Sequence, residues 1–138
     1  MVFDFFLVLY TPYLAFFLRV VVGANLVMHG YPKLKNPQAT LKWTGSLGVP
    51  AAATVVVIVL EFFGGIALIL GLLVPVVAFF IALEMIGNIA LKRTKMKAPY
   101  LIGQNASAYE TDVAYILLAV TLMVLGAGAF SLGAFLGL

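Results

Sequence analysis

The sequence has no cysteine, a single histidine, a single tryptophan and very little charge. Eight basic and five acidic side chains make up 9% of its 138 residues. Without cysteine there is no disulfide, no Cys-ligated iron–sulfur cluster and no thiolate nucleophile. One histidine cannot supply both axial ligands of a bis-histidine haem. No second ligand of suitable type lies near His29 in sequence, so no metal site and no covalently held cofactor are expected. The scarcity of charge is equally restrictive. A soluble domain carries about 25% charged residues, and a chain this short has too little interior to hide a 64% apolar composition. An ordinary soluble enzyme, a disordered chain and a nucleic-acid-binding domain are excluded. An integral membrane protein remains.

Four apolar stretches approach the ~20 residues that a bilayer crossing requires. They lie at about 10–30, 50–71, 74–91 and 111–127. The predicted fold is all-α: one transmembrane domain over 1–138, a four-helix bundle running up-down-up-down. The segment from Tyr31 to Val49 holds Pro32, Pro37, Gly45 and Gly48 and reads as a loop, with room for a short helix around Trp43. Gly71-Leu72-Leu73-Val74-Pro75 reads as a tight turn that makes the second and third helices a hairpin. Lys92 to Tyr109 is a polar, basic connection, and the last helix is expected to weaken at Gly126 and Gly128.

The basic residues set the orientation. Lys33, Lys35, Lys42, Lys92, Arg93, Lys95 and Lys97 all fall in the first and third connections, which share one side of a four-span bundle. The positive-inside rule makes that side cytoplasmic and puts both termini outside. The net charge of +3 is thus a topology and lipid-headgroup signal, not a nucleic-acid site. The first ten residues include Asp4 and no Lys or Arg, unlike a cleavable signal peptide, so the first helix is expected to be retained. Asn105-Ala106-Ser107 matches a glycosylation sequon, but this topology keeps it inside and unmodified.

Only Arg19, Glu61 and Glu84 put charge deep within the spans. Each costs roughly 2.5–3.5 kcal/mol at the bilayer centre unless it is partnered. Counted from the inner helix ends, Arg19 and Glu61 share a depth of ~15 Å, which predicts a structural ion pair between them. Glu84, somewhat shallower, either reaches the same arginine or stays neutral. Arg19, Gly23, Leu26 and Gly30 form one stripe of the first helix. Glu61, Gly65 and Leu68 form one on the second, and Glu84 and Asn88 one on the third. These groups either tether the helices or surround a ligand cavity. A quinone or an anion suits such a cavity: quinone carbonyls need donors such as Arg19, His29 or Asn88, and reduction needs proton delivery from groups such as Glu61, Glu84 or His29.

Several motifs resemble the DoxX family. Arg19-x3-Gly23 followed by His29-Gly30-Tyr31-x-Lys33-Leu34 is similar to the family's first-helix signature. Leu47-Gly48-Val49-Pro50 fits the stretch before its second helix. Glu61-Phe62-Phe63-Gly64-Gly65 through Leu70-Gly71-Leu72 is similar to its second-helix signature, and Tyr109-Glu110 onward to its fourth helix. The resemblance runs from about 14 to 133. Its last piece departs from the family pattern, with Gly133 where an aspartate is common after Gly-x-Gly-x-x-Ser-x.

The resemblance implies a small multi-pass protein of the cell membrane in a quinone-linked setting, a respiratory or sulfur-oxidising complex of the terminal quinol oxidase or thiosulfate:quinone oxidoreductase type. Expected partners are lipid and the other membrane subunits of that complex, with a homo-oligomer left open. The ligand candidates are Arg19, His29, Glu61, Glu84 and Asn88, and no residue is assigned a catalytic role. The alternatives are a non-catalytic assembly subunit and a small transporter or proton path.

Overall fold

In the computed structural model the structure describes residues 2–101 and 108–137. The sequon at Asn105 falls outside them. The described residues are all-α. α1 is Val2–Lys35, α2 Pro37–Ser46 and α3 Ala51–Val59; a π-helical turn over Leu60–Gly64 leads into α4 (Gly65–Leu70). α5 is Val74–Thr94, α6 Glu110–Leu125 and α7 Leu132–Leu136. Phe5–Lys35, Ala51–Leu70 and Val74–Thr94 are long and apolar enough to cross a membrane.

The helix ends follow local chemistry. α1 runs through Pro32 to Lys35, five residues beyond the expected end. Asn36 then caps α2: its Oδ1 accepts a hydrogen bond from the Ala39 amide at 3.3 Å, and Pro37 stands where a missing N–H costs nothing. α4 stops at Gly71, whose φ of +72° is open to glycine, and the Leu72 amide closes the turn on the Ala67 carbonyl at 2.8 Å. Pro75 opens α5, so the expected hairpin turn is present. α5 ends on Lys92 and Arg93, and α6 begins with Glu110 and Asp112, each suited to the helix dipole it meets. α6 stops at Leu125, two residues short of the expected end, because Gly126 turns out of the helix at a φ of +68°. The short α7 was not foreseen.

Two contacts set the register. A Cβ on Gly23 would lie 2.6 Å from the Gly65 carbonyl oxygen, and one on Gly65 2.7 Å from the Gly23 oxygen. Only a pair of glycines permits backbones to cross this closely. Farther along, a Cβ on Gly30 would meet the Phe62 amide nitrogen at 2.7 Å. Gly30 of α1 is therefore level with Glu61–Phe62. Beneath these crossings Val22, Leu26, Leu68, Ile81 and Leu122 form the core of α1, α4, α5 and α6.

Candidate functional site

Arg19 is fully buried, yet it does not pair with Glu61. Its Nε donates to the Ala127 carbonyl at 2.8 Å. One terminal nitrogen donates to the carbonyls of Leu68 and Ile69, the other to those of Ala129 (3.1 Å) and Phe130 (2.7 Å). The five N–H groups of the guanidinium thus meet five carbonyl oxygens. Two belong to the C-terminal end of α4, where orphan carbonyls carry partial negative charge. Three belong to the chain after α6. The Phe16 ring covers the guanidinium carbon at 5.1 Å.

The expected Arg19–Glu61 ion pair is therefore corrected. Its error lies in the register. With Gly30 level with Glu61, Arg19 stands eleven residues away, about 16 Å toward the other end of the bundle. Five of those eleven residues arise because α1 continues past Gly30 to Lys35, and the other six because the second span starts that much farther along the bundle than the end of α1.

Glu61 pairs with Lys33 instead, Nζ to Oε1 at 2.5 Å. Lys33 extends the stripe of Arg19, Gly23, Leu26 and Gly30 by one more step of three residues, so its direction was legible in the sequence. Its charge serves this pair as well as the topology of the loop. Glu61 is the eleventh residue of the twenty in Ala51–Leu70, at mid-span, and it stands on the π-helical turn. Such turns interrupt helices often at functional sites, and no residue pattern announced this one.

Glu84 comes from α5 to the same place. It is 8% exposed, and Glu61, Lys33 and Asn88 are its polar neighbours. Both of its carboxyl oxygens and Glu61 Oε2 are buried without a hydrogen-bond partner among the described residues. Tyr115 of α6 is close enough to feel the charge of Glu61, a residue that sequence reasoning missed. The shared interior expected from the three stripes is present for Glu61, Glu84 and Asn88. His29 does not join it: its side chain is exposed on the outside of α1, about 80° round from the buried stripe.

A cavity of about 680 Å³ adjoins this cluster. It forms where α1 ends before the start of α3. Its walls come from α2, α3 and α5 and include Trp43, Thr44, Val57, Leu91 and Met96, with Lys33, Glu84 and Asn88 at the polar end. The Thr44 and Thr54 hydroxyls, 2.7 Å apart, tie α2 to α3 along one wall. Lys92 donates to Asp112 at 2.6 Å and to the Ala108 carbonyl at 3.2 Å, joining α5 to α6 at the cavity rim. Among the described residues no group of His, Asp and Glu side chains could hold a metal ion. The volume suits one small organic molecule.

Residues 14–93, which carry Arg19, Lys33, the Glu61 turn and Glu84, match the DoxX family. The chain belongs to the DoxX family. It is 31% identical over 118 residues to the putative oxidoreductase CatD of Bacillus subtilis, covering 86% of this chain and 83% of that protein. It is 34% identical over 124 residues to an uncharacterised protein of Haemophilus influenzae, covering 89% and 90%. No solved structure matches it. DoxX membership and three apolar helices make this a membrane protein.

Proposed function

We propose that this DoxX protein is a four-span, quinone-linked membrane subunit whose cavity receives the ring of a quinone or quinol. The observation that carries the reading is the carboxyl pair Glu61 and Glu84. It is buried at mid-span beside a ring-sized cavity, with one lysine for two carboxyls. A quinone exchanges protons whenever it exchanges electrons, and a carboxyl pair with a spare proton site is suited to take and return them. The printed name of the Bacillus subtilis relative, an oxidoreductase, supports the same class of chemistry. The redox partner is a further subunit of a respiratory or sulfur-oxidising complex in the cell membrane. In this reading α6 and the apolar chain after it make the fourth crossing, and the lysine-rich connections lie in the cytoplasm.

The test is the organic extract of protein purified from its native membrane. A quinone or quinol is expected in near-equal amount to the chain. It should be lost when Ala53→Trp, at an exposed position on the cavity wall, fills the space. Native protein with no quinone would overturn the proposal.

A second reading, a non-catalytic assembly subunit, draws on a different feature. Phe5 to Tyr10 are all exposed on a part of α1 that runs about 14 Å or more beyond Arg19. A larger membrane subunit that co-purifies only when these residues are intact would favour it.

A further inference from the structure

The polar end of the cavity has an uneven supply of donors and acceptors, and this bears on which oxidation state of the ring it takes. We infer that the site binds the dihydroxy form, the quinol, in preference to the quinone. The inference rests on the cavity reading above and names the form of the ligand.

The side chains at the polar end divide as follows. Lys33 has three N–H groups and spends one on Glu61, so it retains donors. Among the described residues the Asn88 amide makes one weak hydrogen bond, to the Met85 sulfur at 3.9 Å, and keeps a donor to spare. Lys92 is held by Asp112 and Ala108. Glu84 is the exception, because neither of its oxygens receives a hydrogen bond among the described residues. Protonation does not remove the deficit. A proton on Glu84 has a waiting acceptor in Glu61 Oε2, which also lacks a donor, and the other Glu84 oxygen is still unserved. The carboxyl lies just behind the cavity wall. As a carboxylate it makes no hydrogen bond among the described residues, so turning it into the cavity breaks none.

A ring carbonyl only accepts. It can take a hydrogen bond from Lys33 or Asn88, but it offers Glu84 nothing and displaces the water that would otherwise serve it. A ring hydroxyl donates as well as accepts. It gives its hydrogen to Glu84 and takes one from Lys33 or Asn88, satisfying both sides. Leaving one buried acceptor unserved weakens binding by about tenfold or more. The hydroquinone should therefore bind about tenfold more tightly than the quinone of the same substituents.

Duroquinone and durohydroquinone carry the same substituents and differ by the two hydrogens that turn ring carbonyls into hydroxyls. Their equilibrium binding to the purified protein in lipid nanodiscs, under anaerobic conditions, reads the preference directly. Durohydroquinone is expected to bind about tenfold more tightly to the native protein. Glu84→Gln, which places an amide donor where the carboxylate was, is expected to narrow the ratio to about twofold or reverse it. Equal or tighter binding of duroquinone by the native protein overturns the inference and leaves the quinone site standing. A ratio unchanged in Glu84→Gln protein of native helicity overturns it as well. Binding of neither compound overturns the site and the inference together. The native ratio decides the matter alone where the variant fails to fold.

Discussion

Lys33 Nζ sits 2.5 Å from Glu61 Oε1, three residues past the glycine that backs directly onto the Glu61–Phe62 peptide. The close approach at Gly30 brings a half-exposed lysine from the end of one helix to a carboxylate at the middle of another. The pair is thus a product of backbone packing, and disturbing either part should disturb the other.

Lys33→Met leaves Glu61 buried with no counter-charge. The loss of one member of a buried pair typically costs about 3–5 kcal/mol. A thermal or denaturant melt in detergent is expected to show a loss of about 3 kcal/mol. The double variant Lys33→Met/Glu61→Leu should recover most of it, since both partners are then apolar. Additive losses in that cycle would mean that the ion pair contributes nothing of its own.

Arg19→Lys is expected to be severe despite the retained charge. Five carbonyls converge on a planar fork, and an ammonium has only three donors. At least two buried carbonyls lose their partners, for a loss of about 2–4 kcal/mol. The chain after α6 should come loose first. Limited proteolysis after Leu125 reads this, and a variant as resistant as the native protein would contradict it.

Gly23→Leu should separate α1 from α4. Its Cβ alone would stand 2.6 Å from the Gly65 oxygen, and backbone cannot yield as a side chain does. Overpacking of this kind costs about 1–3 kcal/mol. Because Gly30 holds the register of Lys33, the variant should also lower the coupling measured in the Lys33–Glu61 cycle. An unchanged coupling would show the two crossings to be independent.

The absence of cysteine makes the orientation directly testable. Ser46→Cys lies next to the lysine-rich connections, and Leu73→Cys lies on the exposed hairpin turn at the other end of the bundle. In intact cells an impermeant maleimide is expected to label Leu73→Cys and to reach Ser46→Cys only after lysis. The reverse pattern would invert the proposed topology.

Much of the buried face was legible without coordinates. Arg19, Gly23, Leu26 and Gly30 are all buried, as are Glu61, Gly65 and Leu68, because a helix repeats every 3.6 residues whatever it packs against. His29 lies about 80° off that stripe and is exposed, so its phase spoke against the ligand role given to it in the sequence. Partners were not legible in this way. Arg19 found carbonyls, and Glu61 found a lysine that the sequence offered only as a topology marker. A depth count assumes level helix ends, and here α1 passes its expected end by five residues while the second span starts a further six residues beyond it.

The sequence alone determined the class of protein, since too few charges leave a chain of this length no other solvent. It also determined which residues face inward. Tertiary structure decided which inward groups meet. That choice depends on how closely two backbones slide together, at Gly23 and Gly65 and again at Gly30 and Phe62, and on the π-helical turn that carries Glu61. It also left both Glu84 oxygens without a hydrogen-bond partner among the described residues, beside a cavity.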